Sequence, residues 1–392
     1  MMTFAIVIVC YEKLNSLKRL ISSLEIVDFQ KRKDITLIFS IDYSDNNEEV
    51  RKFAENYNWE HGRKIVRKFE ENQGLKKHIF SCGDYTLDYD ILVVLEDDLY
   101  VSDSMYHYSY NSAKFYMDDE NIAGISLYNF QKNWLNTMLS FFPQSNQYDA
   151  YFLKVAQSWG QVWTRDKWKK FKDWYSMNSE FIFSDNIPNA LNKWNSKTSW
   201  LKYHDKFCIE KKKYFVYPYF SISTNFSDPG THSKIVTSES QSNLCVEKKI
   251  FHFPVFSKES IVYDEYMERE NLDIHLGLES GSLSVDIFCN KSDKQLKHKR
   301  YLLTTRKLDF KIIEQYSLAL KPVELNVLRG IKGSGIYLYD TKIIEKNSGK
   351  DYRYELLKYS MGINSFRKFK SLLAFSIRGF LTAIIQKVFY DN

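Results

Sequence analysis

Within the first hundred residues lie three runs too apolar for a surface, TFAIVIVCY, DITLIFSID and DILVVLEDDL, and helix-like segments intervene between them. Apolar runs of this length without polar alternation read as strands buried on both faces. Between the first two, LNSLKRLISSLEIV spaces its apolar residues along one helical stripe, so the chain opens as a βαβ unit. A helical stretch over 47–57, the strand-like RKIVRKF and a helix-like run after Gly74 continue the alternation to the third run, 90–99. The pattern predicts an α/β domain with a mostly parallel, Rossmann-like sheet and helices on both faces. In such sheets ligands sit at the carboxyl ends of the strands.

A chain of 392 residues exceeds what one core usually serves, so a second unit is expected. The sequence places a catalytic domain at 1–255 and a smaller accessory α+β region of unassigned role at 256–364. There, short strands and Lys-rich turns replace the earlier alternation. The tail, 365–392, sets Phe366, Phe369, Leu373, Ile377, Phe380, Ile384 and Val388 at helical spacing. Arg367, Lys368, Lys370, Arg378 and Lys387 supply its polar side. This is the pattern of a helix lying on an anionic membrane surface, where each basic residue adds about 1 kcal/mol; an ordinary packing helix is the equal alternative. Gly379 and the charges argue against a span.

Five cysteines without a C-x-x-C pair speak against a disulfide framework or a thiolate zinc site. They fit a reducing compartment, and with no signal-peptide order at the start the expectation is a cytoplasmic protein. The net charge of +6 is spread among nearly as many acids, which leaves no nucleic-acid footprint.

The chemistry gathers where the third strand ends. Glu96, Asp97 and Asp98 follow one another directly after LVVL, and two like charges about 4 Å apart repel by about 4 kcal/mol at an effective dielectric of 20. A divalent ion such as Mg²⁺ or Mn²⁺ answers that repulsion, taking one or two carboxylates and completing its shell with substrate phosphates. The plainer alternative is a solvated strand end. Other candidates lie at the neighbouring strand ends: Lys13 after the first strand, facing a phosphate, and Asp42 after the second, facing a base or ribose. Asn72 and Gly74 form a turn whose backbone N–H groups can face an anion. Each alone is an ordinary surface cation, cap or turn; their order carries the signal.

The succession CYEK, FSID, ENQGLKKHI, VVLEDDLYVS, SWGQVW and YPYFSISTNFSDPGTHS resembles bacterial sugar transferases related to eukaryotic N-acetylglucosaminyltransferase I, over roughly the first 255 residues. The resemblance implies a GT-A fold, a nucleoside diphosphate sugar donor, Mn²⁺ or a similar ion, and inversion at the transferred carbon. It further implies a hexosyl or N-acetylhexosaminyl group passed to a glycan or lipid-linked glycan in bacterial surface polysaccharide synthesis. It puts the metal ligand on Asp98, contacts to ribose and donor sugar on Glu96 and Asp97, and base binding on Asp42. Trp159 and Gly160 then belong to the donor site, with Trp159 and Trp163 either stacking on a sugar or anchoring the core. His232 would reach the metal or diphosphate. The chain departs from the pattern at Lys13, where relatives carry Arg, and at Gln161 and Val162. It departs again at Leu201 and Lys202, which stand where relatives place a base aspartate after the Trp matched by Trp200. Asp205 and His204 are the nearest replacements for that base. Two rivals remain: a sugar nucleotidyltransferase, which calls for a Gly-rich basic loop that CYEKLNSL lacks, and a carbohydrate-binding scaffold without its base.

Overall fold

The computed structural model describes residues 2–228, 238–296, 299–347, 352–362, 367–368 and 370–379. They form two compact units, one from residues up to 131 with 143–280, the other from 132–142 with the described residues from 281 onward.

In the first unit, β1 (Phe4–Cys10), β2 (Ile35–Ile41), β3 (Lys64–Lys68) and β4 (Ile91–Glu96) run parallel in the spatial order β4, β1, β2, β3. The sheet continues beyond β4 through Gln161–Thr164, Ile122–Ser126, Tyr214–Pro218, Ala150–Leu153 and Val262–Tyr263, giving nine strands among the described residues. Gln161–Thr164 lies antiparallel to both its neighbours, and Ile122–Ser126 and Tyr214–Pro218 again follow the direction of β4. The expected mostly parallel α/β sheet is therefore present.

Alternate residues explain why the strands lack a polar face. Phe4, Ile6, Ile8 and Cys10 of β1, with Ile35, Leu37, Phe39 and Ile41 of β2, meet Leu17, Leu20, Ile21 and Leu24 of α1 (Leu14–Glu25) and Val50 and Ala54 of α2 (Glu48–Asn56). The intervening Ala5, Val7 and Val9 are buried as well, and α3 (Leu75–Gly83) packs on β1 and β4. A strand covered on both sides has no use for polar alternation.

The domain boundary differs from the sequence expectation at 255. Val262–Tyr263 adds a parallel strand beside Ala150–Leu153, and Lys154 pairs with Glu265 at 3.3 Å and Glu270 at 3.0 Å, which carries the first unit on to 280. A two-residue strand has no periodicity to read. The second unit holds a four-stranded mixed sheet in which Leu283–Asp286 lies parallel to Tyr301–Thr304. Gly335–Asp340 is antiparallel to both Tyr301–Thr304 and Lys311–Ser317. The buried Asp286 meets Arg306 at 2.9 Å, and burial raises its carboxyl pKa to about 6 against the pull of that guanidinium. This is the smaller α+β region expected, with one addition: the hairpin Lys132–Asn133 with Asn136–Ser140, read from sequence as catalytic-domain chain, belongs to it.

Residues 370–379 of the tail are helical and expose Leu372, Leu373, Phe375 and Ile377. Phe366, Phe369, Phe380, Ile384, Lys387 and Val388 lie outside the described residues. Among the described residues no helix is long and apolar enough to cross a membrane.

Gly83 closes α3 against the helix Arg165–Met177, and a methyl group there would fall inside the ring of Trp168. Gly83→Ala should destabilise the domain by about 1–3 kcal/mol through forced repacking, read as a lower urea midpoint in tryptophan fluorescence. An unchanged midpoint would show that the ring moves freely.

Candidate functional site

β4 delivers Glu96 to its carboxyl end, Asp97 and Asp98 make the turn, and the chain re-enters a short strand, Leu99–Val101. That strand pairs antiparallel with Ser223–Asn225, which lays the following residues across the acids like a strap. Asn225 Nδ2 donates to Asp98 Oδ1 at 3.0 Å, and the Phe226 N–H donates to the Asp98 carbonyl at 3.2 Å. Lys13, at the start of α1, donates from Nζ to Asp98 Oδ2 at 3.0 Å and to the Asp228 carbonyl at 3.4 Å. Asp228 is gripped in turn by Ser16 Oγ at 2.6 Å and by Arg19, whose guanidinium lies 3.9 Å from the centre of the Phe226 ring.

Charge and burial act together on these groups. Asp97 is 8% exposed; burial and then the neighbouring Asp98 push its carboxyl pKa from 3.8 up to about 7, against Lys13 and the Tyr11 N–H that donates to Asp97 Oδ2 at 3.2 Å. Glu96 is driven well above the usual range by burial and then by Asp98 and Asp97. Burial alone would lower the Lys13 ammonium, and Asp98 with Asp97 and Asp228 together more than offset it, so its pKa ends above the ordinary lysine value. Asp228 shows the same contest with opposite sign: burial raises it, the Arg19 and Ser16 bonds outweigh that, and its carboxyl lies below the ordinary value.

The turn carrying Asn72 and Gly74 lies beside the end of β2, and Asp42 braces it. Its carboxylate accepts the N–H groups of Gln73 at 2.8 Å and Gly74 at 3.0 Å, and Asn72 Nδ2 donates to the Tyr43 carbonyl at 2.9 Å. The residue read as a nucleoside contact thus holds the turn's shape. Gly74 has φ +70°, a conformation open to glycine, and precedes the first turn of α3.

Trp159 is half-buried, edge-on to Tyr128 at 4.8 Å between ring centres, and its carbonyl accepts Ser223 Oγ at 2.5 Å. Gly160, at φ +94°, sits where a Cβ would press within 3.0 Å of Ser223 Oγ, so this glycine seats the beginning of the strap. Trp163 is a core residue, stacked on Trp168 at 4.2 Å.

The proposed bases are corrected by burial. His204 and Asp205 lie in the helix Leu201–Lys211, each exposed by 2% or less. The His204 ring stacks on Phe171 at 4.2 Å, neither nitrogen has a hydrogen-bond partner, and burial lowers its pKa to about 3, so it is a neutral core ring. Asp205 accepts the Ala156 N–H at 2.6 Å, and burial raises its carboxyl far above the usual range. Neither can meet an acceptor hydroxyl in this arrangement. His232 lies outside the described residues.

Sequence reading missed Ser16, Arg19, Asn225 and Asp228. Ser16 and Arg19 stand three apart on α1 and so share a face, a signal that was there to be used.

Among the described residues no group of three or more His, Cys, Asp or Glu side chains is arranged to hold a metal ion. The donor chemistry nonetheless fits one. Adjacent hard-oxygen carboxylates, one with its pKa raised to about 7 by burial and then by repulsion, suit a divalent cation that draws its other ligands from phosphate and water.

No family model and no curated protein matches the sequence. Among solved structures the chain is similar to S. aureus TarS at 13% identity and TM-score 0.34, covering 55% of this chain and 58% of that one. It is similar to a cytidylyltransferase from Leptospira borgpetersenii at 12% and 0.27, covering 44% and 65%. It is also similar to the mannosyltransferase PcManGT from Pyrobaculum calidifontis, solved with GDP-Man and Mn²⁺, at 10% and 0.33, covering 55% and 56%. The chain spans less than two thirds of each of these chains.

Asp97 yields a stability prediction. Because its folded pKa lies above the unfolded one, the folded state binds the extra proton, so stability falls as pH rises from about 4 to about 7 and stays reduced above that. At about 1.4 kcal/mol per unit the full displacement amounts to about 4 kcal/mol. Asp97→Asn should therefore melt higher than wild type at pH 8 and converge with it near pH 4. A pH-independent difference in melting temperature would remove the electrostatic explanation.

Proposed function

We propose that the first unit is a glycosyltransferase domain that moves a sugar from a nucleoside diphosphate sugar to an acceptor hydroxyl. The observation that supports this reading is the meeting, at the carboxyl end of β4, of Asp97 and Asp98 with Lys13 from the start of α1 and Asn225 from the strap. Asp98, with Asp97 beside it, would hold Mn²⁺ or Mg²⁺; such an ion, when bound, neutralises charge on a departing nucleoside diphosphate. Lys13 supplies a fixed positive charge next to that position, and Arg19 a second one within the same cluster. Both act on the charge that develops as the sugar–phosphate bond breaks. The Asn72–Gly74 turn, braced by Asp42, presents backbone to the donor. Displacement is in line, with inversion: the acceptor oxygen bonds to the transferred carbon as the sugar–phosphate bond breaks, and the hydroxyl proton passes to solvent. Asp205 and His204 have no part in it.

The finer reading is synthesis of a bacterial surface glycan at the cytoplasmic face of the membrane. The exposed Leu372, Leu373, Phe375 and Ile377 on the tail helix, flanked by Arg367 and Lys370, support its lying on an anionic lipid surface.

The test is hydrolysis of a panel of nucleoside diphosphate sugars by the purified protein with Mn²⁺. One donor should turn over slowly. Asp98→Asn should cut that rate by about 100-fold or more with an unchanged melting temperature, and Lys13→Ala should raise the donor KM about tenfold. Full activity in Asp98→Asn would sink the assignment.

A further inference from the structure

Tyr214–Pro218 runs in the direction of β4, and Ala150–Leu153 runs against it with Ala150 opposite Pro218. Both ends therefore lie at the sheet edge that carries Asp97 and Asp98. There the chain encloses a cleft of about 240 Å³. That is below the roughly 300–1,000 Å³ typical of drug-sized ligand pockets, so it suits a single small ring better than a nucleotide. Its walls are aromatic: Tyr148, Tyr219, Phe220 and Phe251. Phe220 keeps 62% of its surface exposed, whereas Phe251 is braced edge-on by Tyr108 at 5.2 Å. The exposed Phe220 ring, beside rings fixed by their packing, offers a stacking platform.

The charged groups of the cleft form an ion pair, beside the polar Ser145, Asn146 and Gln147. Lys248 Nζ meets Asp149 Oδ1 at 2.6 Å, and Asp149 Oδ2 accepts the His252 N–H at 2.8 Å. The two charges cancel, which disfavours a phosphate or other anion and leaves Lys248 with N–H donors beyond the one spent on Asp149. Rings for C–H faces together with donors and acceptors for hydroxyls are what a neutral sugar needs. The location agrees. From Phe220 to Asn225, which contacts Asp98, the chain advances five residues, no more than about 18 Å even when extended. A ring seated in the cleft is thus within reach of the carboxylates through a short oligosaccharide.

We infer that this cleft binds a neutral sugar ring of the acceptor glycan, stacked against Phe220 and hydrogen-bonded to the Lys248–Asp149 pair. The inference rests on the glycosyltransferase reading for its purpose, and the experiment separates the two. Saturation-transfer NMR on the full chain, with the methyl glycosides of glucose, galactose and N-acetylglucosamine as probes, should show transfer from aromatic protons to at least one of them. The signal should fall about five- to tenfold in Phe220→Ala and persist in Phe220→Trp, which keeps a ring at this exposed position. Equal transfer in Phe220→Ala, transfer to none of the three, or displacement of the glycoside by UMP overturns the assignment. Donor hydrolysis is measured alongside in the wild-type protein. Hydrolysis without glycoside transfer overturns the cleft and spares the enzyme, and glycoside transfer without hydrolysis upholds the cleft and overturns the enzyme.

Discussion

Asp97 and Asp98 sit side by side where β4 leaves a core closed on both faces, and the site is organised around what offsets their repulsion. Burial makes the repulsion expensive, because water cannot screen it. Lys13 reaches Asp98 from the start of α1, Asn225 reaches it from the strap, and the Tyr11 N–H reaches Asp97. The acids and these partners come from three stretches of chain far apart in sequence, around residues 11–13, 97–98 and 225. The parallel pairing of β1 with β4 brings two of them together, since Val9 stands opposite Glu96 and the residues after Cys10 must emerge beside the acids. Pairing of Leu99–Val101 with Ser223–Asn225 brings the third.

The same physical fact explains what could be read from the sequence. β1, β2 and β4 announce themselves because each is covered on both sides, and the acids stand out because three charges end one of those runs. Lys13 was legible for the same reason, as the first cation past a strand end. The helix Leu201–Lys211 was misread because its sequence, LKYHDKFCIEK, looks solvated while its first residues are enclosed. Lys202 threads its ammonium to the carbonyls of Asn192 at 3.1 Å and Trp194 at 2.6 Å, and Lys206 reaches that of Ile182 at 3.2 Å. Long cationic side chains bury their stems and satisfy their heads on backbone, so polar letters at these positions do not mark a surface. His204 and Asp205 lie between those lysines and are buried with them. Val262–Tyr263 and the hairpin of 132–140 were illegible for a different reason: their strands gain meaning only from partners distant in the chain.

Lys13 is more than a neighbour of the acids. Its ammonium touches Asp98 and the Asp228 carbonyl at once, so the end of β4 and the far end of the strap share one charge. Because Asp98 raises its pKa, that charge is present throughout the neutral range. Asp97 behaves differently. With a pKa near 7 it exchanges its proton just where Lys13 and Asp228 do not. A ligand that brings positive charge favours the deprotonated form, and one that brings negative charge favours the protonated form.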